Sequence, residues 1–285
     1  MKVLSLFDGI SCGMVALERA GIFVERYVAY EIDENAIKVS KHNYPQIEHC
    51  GDVTKADFAQ YKDFDLLIGG SPCQDLCSMG SREGLAGEKS KLFFEFVRAL
   101  KEARPRYFLL ENNASMSKEN RDIISSYMGC EPVLINSADF SAQTRKRLYW
   151  TNIPIGEYDP KNISIQDILQ NDMPRECVTD KVNKYVFSGE YAGRKIEKTV
   201  KGAIRTLDGK TRTITTQSYD LGSNGGVCFK IGNEYYKPNQ IEFERLQTLP
   251  DGYTSCLPIK KAVFSIGNGW TVDVIAHIFK GLKEA

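Results

Sequence analysis

The 285-residue chain has no excess of either charge: 37 Lys and Arg balance 37 Asp and Glu. A protein that coats nucleic acid without regard to sequence needs a basic surplus to displace counterions, so that class is disfavoured. No stretch approaches the ~20 consecutive apolar residues of a membrane-spanning helix. The opening Met1-Lys2-Val3-Leu4-Ser5-Leu6 is a short apolar run broken by Asp8 and Gly9, which reads as a first strand and not a signal peptide. Histidine is scarce, at positions 42, 49 and 277, and shows no zinc spacing. The eight cysteines include no Cys-x-x-Cys pair. Reduced thiols in an intracellular, cytoplasmic protein without a metal are the simplest expectation. No internal repeat or low-complexity segment is visible.

What the chain does have is a tight turn, Ile68-Gly69-Gly70-Ser71-Pro72-Cys73-Gln74, fed by the apolar run Phe64 to Ile68. Two glycines let the backbone bend and let a ligand approach, and Pro72 stiffens the support for Cys73. A thiol at the C-terminal end of a buried strand lies where open α/β sheets bind ligands, though structural and nucleophilic cysteines look alike in sequence.

The flanking chain alternates strand and helix patterns. Val3 to Phe7 is a strand, Asp8 to Gly13 a glycine turn and Met14 to Ala20 a helix stopped by Gly21. The spacing Gly9-x-x-x-Gly13 departs from the dinucleotide Gly-x-Gly-x-x-Gly, so a nicotinamide cofactor is disfavoured. Tyr27 to Glu31 is a strand ending in an acid about 20 residues past that turn, a position suited to ribose hydroxyls or, equally, to the cap of the helix Ile32–Lys41. Asp52 could accept an adenine amine while Val53 packs on the ring, or could be an ordinary turn aspartate.

Gln74 to Lys91, rich in Gly, Ser and charge, reads as a mobile closing loop. Leu92 to Leu100 is an amphipathic helix, and Tyr107 to Leu110 a strand ending in Glu111-Asn112-Asn113. A helix over Ile123–Met128 and a strand over Pro132–Asn136 follow. If Arg145-Lys146-Arg147-Leu148 is extended, Arg145 and Arg147 point the same way, toward phosphate or a carbonyl oxygen. From Ile155 the apolar periodicity fades. Thr211 to Gln217 reads as a strand, Ile241 to Leu249 as a helix, and Ile266 to Trp270 as a turn before a closing helix. Lys181 to Arg212 holds nine Lys or Arg against three Asp or Glu, either a solvated face or a nucleic-acid contact.

Taken in order, these stretches resemble the cytosine-5 DNA methyltransferase family over most of the chain. Phe7-Asp8-Gly9-Ile10-Ser11-Cys12-Gly13, Glu31 and Gly51-Asp52-Val53 are similar to its cofactor motifs. Ser71-Pro72-Cys73-Gln74 is similar to its catalytic motif and Glu111-Asn112 to its Glu-Asn-Val motif. Gln143-Thr144-Arg145-Lys146-Arg147 is similar to Gln-x-Arg-x-Arg. Arg245 to Tyr253 and Gly267-Asn268-Gly269-Trp270 are similar to the closing motifs. Leu92 to Phe96 and the tail Trp270–Lys283 look most like the mammalian de novo DNA methyltransferases. Asn113 stands where the family usually has Val, and Gln74 follows the bacterial pattern.

The resemblance implies an α/β, Rossmann-like core using S-adenosylmethionine over residues 1–155, a smaller target-recognition domain over 156–261 and a C-terminal helix at 262–285 returning to the core. It implies Cys73 as nucleophile, Glu111 on the base's N3 and amino edge, and Arg145 and Arg147 on the base carbonyl and phosphate. For the cofactor it implies Phe7, Asp8, Gly9, Ile10, Cys12, Gly13, Glu31, Ile32, Asp52, Val53, Pro72, Leu92, Asn268, Gly269 and Trp270, with Phe7 on adenine, Glu31 on ribose and Trp270 alongside. The implied partner is double-stranded DNA with a flipped-out cytosine. Two alternatives stand beside this. One is a tRNA cytosine-5 methyltransferase, whose characteristic Cys-Phe-Thr segment is not found here. The other is a DNA-binding relative that has lost catalysis.

Overall fold

Lys2–Leu6 forms β1 because Val3, Leu4 and Leu6 are apolar and buried, with Ser5 the one polar interruption. The computed structural model describes residues 1–71, 91–187 and 194–283, and the chain divides into two units. The first comprises Met1–Ile135, Lys146–Glu157 and Val274–Ala285; the second comprises Asn136–Arg145 and Tyr158–Asp273. Both units are thus discontinuous in sequence.

The first unit is built on a seven-stranded sheet: β1, β2 (Arg26–Tyr30), β3 (Glu48–His49), β4 (Leu66–Gly69), β5 (Tyr107–Asn113), β6 (Val133–Asn136) and β7 (Lys146–Thr151), in the order β3-β2-β1-β4-β5-β7-β6. Strands β3 through β5 in that order run parallel, and β7 is antiparallel to β5. The parallel strands read as near-continuous apolar runs because helices cover both faces of such sheets. Helices α1 (Cys12–Arg19), α2 (Glu34–Asn43), α3 (Lys91–Ala103) and α4 (Lys118–Met128) supply that cover. Capping residues set their ends. Asp33 accepts from the N–H groups of Asn35 and Ala36, and Ser117 accepts from Asn120, while Gly129 closes α4 at φ 71°. On α3, Phe93, Phe96 and Val97 follow helical spacing and lie in one core with Leu4, Leu67, Leu110 and Trp150. Each such burial contributes roughly 1.5–3 kcal/mol. The Trp150 indole donates to Ser125 Oγ at 3.0 Å, so its buried N–H is satisfied.

The second unit carries α5 (Ile165–Ile168), α6 (Thr179–Val182), α7 (Arg194–Lys201), α8 (Gln240–Leu246) and α9 (Ile259–Asn268) beside a small sheet ordered β10-β9-β8, from β8 (Ile204–Arg205), β9 (Cys228–Ile231) and β10 (Glu234–Tyr236). Its apolar cluster includes Val178, Val182, Val200, Leu221 and Cys228. Helix α10 (Val272–Lys280) follows. Two local expectations are corrected here. Thr211–Gln217 is not a strand: Thr211 makes an isolated bridge with Gln143, and the Ile214 N–H goes to the Gln143 side chain at 2.7 Å. Gly267 and Asn268 end helix α9 and do not form a turn, and a Cβ on Gly267 would stand 2.3 Å from the Thr215 carbonyl carbon. Glycine is there for close approach, not for bending. The stretch Ile259–Lys283 is apolar enough to cross a membrane by length and composition, but 72% of its most apolar window is buried inside the protein.

Candidate active site

The parallel register aligns the carboxyl ends of four strands. Tyr30 pairs with Leu6, Leu6 with Gly69 and Gly69 with Leu110. The next residue on each strand is therefore Glu31, Phe7, Gly70 and Glu111, in a row at one sheet edge. Neighbouring strands are ~4.8 Å apart, so the four backbones span about 15 Å. The strand order reverses between β1 and β4. This is the topological switch point, the position at which open α/β sheets bind their ligands.

The turn after β1 is held in an uncommon conformation. Phe7 at φ 57° and Ser11 at φ 59° are left-handed without being glycine, and Gly9 is at φ 59°. Each non-glycine in that region costs roughly 1–2 kcal/mol. Phe7 is half-buried against the core. The Gly9 N–H donates to Glu31 Oε2 at 2.8 Å, and the Ile32 and Asp33 N–H groups donate to Oε1, each at 2.8 Å. Three backbone donors thus aim the Glu31 carboxylate. Ile32 beside it is exposed, an apolar surface next to an acid.

Several expected ligand contacts are instead internal. Asp8 accepts from Ser5 Oγ, Ser11 Oγ and Tyr27 Oη at 2.6, 2.5 and 2.7 Å, and its burial raises its pKa to about 6. Ile10, Cys12, Gly13 and Val53 are buried. Asp52 Oδ1 accepts from the Thr54 N–H and Oγ1 at 2.9 and 2.8 Å, and these bonds hold its carboxyl below the usual aspartate range. Arg98 fixes that loop from α3, donating to the carbonyls of Val53 and Ala56 while stacking over Phe58 at 4.3 Å. Leu92 is half-buried on the same core.

Strand β5 continues through Glu111 to Asn113, beyond the expected end at Leu110, because β7 pairs with it as far as Asn113↔Arg147. Glu111 lies opposite Tyr149, which makes Arg147 its diagonal neighbour across the strands. Arg147 Nε meets Glu111 Oε1 at 2.8 Å, with both side chains only 11–13% exposed. Asn112 donates to Ser71 Oγ at 3.2 Å and is also near the Ser71 carbonyl at 3.4 Å. Asn112 therefore ties the root of the turn that follows β4, a role not read from the sequence although strand alternation places it opposite in facing to Glu111. Pro72, Cys73 and the segment expected to be a closing loop lie outside the described residues, from 72 through 90.

Arg145 and the closing residues belong to the second unit. The Arg145 guanidinium is buried and donates to the carbonyls of Ile214 and Gly269 at 2.8 and 2.9 Å, with Gly267 at 3.4 Å. It is a framework residue, not one of two arginines presented alike to a ligand. Gln143 and Gln247 complete the framework. Gln143 Nε2 donates to the Leu246 carbonyl and Gln247 Oε1, and Gln247 Nε2 donates to the carbonyls of Ile266 and Gly269. The Gly269 carbonyl is thus consumed within the unit, while Asn268 is exposed and Trp270 half-buried. Within the basic run, Arg205 and Arg212 are half-buried and donate to the carbonyls of Ile204 and Asn224. A cleft of about 640 Å³ in this unit is lined by Lys181, Gln217, Tyr219, Asp220, Lys237 and Lys260, mostly beyond that run. Lys237 is engaged by Glu176 at 2.9 Å and lies over the Tyr219 ring at 4.2 Å.

Comparison with known proteins adds three findings. Residues 1–284 match the family described as C-5 cytosine-specific DNA methylase. The orphan methyltransferase M.Rho11sI of Bacillus phage rho11s is 32% identical over 66% of the chain, which spans only 37% of the phage protein; the Type II methyltransferase M.NlaX of Neisseria lactamica is 28% identical over 100% of the chain and 96% of its own length. The crystal structure of the S. pombe Dnmt2 methyltransferase shares the fold, with a TM-score of 0.76 at 19% identity, covering 100% of this chain and 98% of that one.

Proposed function

The chain belongs to the C-5 cytosine-specific DNA methylase family, and from that premise we propose that it is a DNA (cytosine-5-)-methyltransferase. In this reading it moves a methyl group from S-adenosylmethionine to C5 of a cytosine flipped out of duplex DNA, through a covalent adduct at Cys73. The observation that carries the reading is the row Glu31, Phe7, Gly70 and Glu111 at the switch point of the sheet. It gathers donor-type groups and base-type groups at one edge, with Cys73 three residues along the chain from Gly70.

The residues fit the donor. Glu31, held by three backbone N–H groups, offers its remaining lone pairs to a ribose diol. Phe7 and Ile32 offer apolar surface to a purine, and the Asp52 carboxylate offers an acceptor to its amine. Leu92 supports the same side of the core. When bound, S-adenosylmethionine supplies an electrophilic methyl on a sulfonium and departs as the neutral thioether.

Cytosine C5 is a poor nucleophile until a thiolate adds at C6. Cys73 supplies that thiolate, and its electron pair makes C5 enamine-like. Glu111 holds the N3 and amino edge and stabilises the charge that develops as sulfur adds. Arg147, bonded to Glu111, keeps that carboxylate aimed and faces the base carbonyl side. After C5 takes up the methyl, loss of the C5 proton returns a pair to the ring and expels the Cys73 thiolate. The second unit serves target recognition. The lysines of its cleft suit phosphates, and Gln217 and Asp220 suit base edges. The proposed setting is the cytoplasm, in contact with DNA.

The test is methyl transfer from labelled S-adenosylmethionine to duplex DNA and, in parallel, to transfer RNA, followed by bisulfite sequencing. Label at C5 of cytosine in duplex DNA is expected. Label confined to transfer RNA would replace the substrate, and label in neither would favour a relative without catalysis.

A further inference from the structure

We propose that Asp8 is a positioning residue for the methyl-donor site, acting at one end of a file of hydroxyls that ends on His49; the donor half of this claim rests on the function proposed above. The Asp8 carboxylate gathers three elements. Ser5 on β1 and Tyr27 on β2 donate to Oδ1, and Ser11 at the start of α1 donates to Oδ2. Ser11 Oγ then lies 2.6 Å from Ser40 Oγ on α2, and Ser40 Oγ lies 3.1 Å from His49 Nε2 on β3.

Counting hydrogens orients the file. A hydroxyl has one hydrogen to give. Ser11 Oγ is within donating reach of both Asp8 Oδ2 and Ser40 Oγ. Above pH 6, with Asp8 ionised, the carboxylate can only accept, so Ser11 gives its one hydrogen to Asp8 and Ser40 gives to Ser11. Ser40 can then only accept from His49, which fixes the Nε2–H tautomer and leaves Nδ1 bare. Nδ1 is indeed a buried atom with no hydrogen-bond partner among the described residues. Glu31 and Lys41 are the charged groups whose fields reach the two ends, the first at Asp8 and the second at His49.

The turn that Asp8 sits in is the one that presents the site. Phe7 and Ser11 hold left-handed backbones on either side of it, and such residues persist only where the surroundings over-determine them. Ser11 gives its hydroxyl to Asp8 and leaves α1 without a side-chain cap. Gly9, next in the chain, carries the N–H that holds Glu31. Releasing the carboxylate therefore frees Phe7 and loosens Glu31 together, by way of the Ser5, Ser11 and Tyr27 hydroxyls that Asp8 gathers.

The test uses the full chain, with D8A, D8N and S40A. Calorimetric titration with S-adenosylmethionine should show donor Kd rising about tenfold in D8A, which is about 1.4 kcal/mol, and about threefold in S40A, while kcat at saturating donor stays within about twofold. Long-range 15N–1H correlation of the imidazole gives a readout independent of the donor. At pH 8, with Asp8 ionised, wild type should show His49 as Nε2–H. In D8N the amide NH2 replaces Oδ2 and donates to Ser11, the file reverses, and His49 should appear as Nδ1–H. Wild-type donor affinity in both D8A and S40A, or an unchanged His49 tautomer in D8N, would overturn the proposal. Should D8A fail to fold, S40A and D8N decide it. Wild type that binds no donor, with His49 as Nε2–H, would overturn the proposed function and the donor half of the claim while leaving the file standing.

Discussion

Replacing Arg147 by Met probes the link between β5 and β7 most sharply. The side chain is 13% exposed and its Nε lies 2.8 Å from Glu111, itself 11% exposed. Met keeps most of the apolar stem and removes the charge. A carboxylate at that depth then loses its counter-charge, which typically costs about 3–5 kcal/mol, more than the intact pair contributes over an apolar substitute. For a unit of this size each kcal/mol lowers the melting temperature by about 2–4 °C, so even the lower figure gives a fall of roughly 6–12 °C. In E111Q/R147M the carboxylate that lost the Arg147 charge is gone as well, and part of the loss should return. The assay is thermal unfolding of wild type, both single variants and the double variant, analysed as a cycle. A single variant R147M that melts with wild type, or a double variant no better than R147M, would refute the reasoning.

Three further outcomes follow from the same structure. E111Q should lower turnover by about 10²-fold or more while donor affinity measured by calorimetry stays close to wild type; full turnover would remove Glu111 from the chemistry. Asp8 gives a pH signature. Its carboxyl titrates near 6 in the fold against 3.8 unperturbed. Between about pH 4 and 6 the native state holds a proton that the unfolded chain has lost. The contribution of Asp8 is therefore fullest below pH 4 and falls as pH rises through 6, by about 3 kcal/mol in all. Asn has no proton to lose, so D8N should gain stability relative to wild type from pH 4 to pH 7, and a flat or opposite difference would contradict this. Gly267→Ala must displace the backbone at Thr215, since its Cβ would sit 2.3–2.5 Å from backbone atoms there. A destabilisation of about 3 kcal/mol in urea unfolding is expected, and none would mean the helix and the 215–216 backbone are not in contact.

The sequence made the parallel core legible for a plain physical reason. Runs such as Leu66-Leu67-Ile68 and Tyr107 to Leu110 are apolar on both faces, as strands buried under helices must be, and each is followed by a glycine or an acid at the edge. What it hid were partners distant in the chain. Strand β5 continues through Glu111 to Asn113 because β7, some forty residues later, pairs with it. Arg145 looks like a ligand arginine until the carbonyls of Ile214 and Gly269 surround it. Gly267 and Gly269 suggested a turn because sequence cannot separate a glycine that bends from one that permits close approach. Ser40 and His49 carried no spacing that could mark them, since α2 and β3 bring them to Asp8 only in three dimensions.

The central claim concerns the thiol of Cys73, and mechanism-based trapping reads it directly. Duplex DNA carrying 5-fluorocytosine cannot lose a proton from C5, so the adduct cannot resolve. With S-adenosylmethionine present, wild type should form a denaturation-resistant protein–DNA species, and C73A should form none. Trapping by C73A, or no trapping by a wild-type chain that methylates ordinary cytosine, would contradict the account.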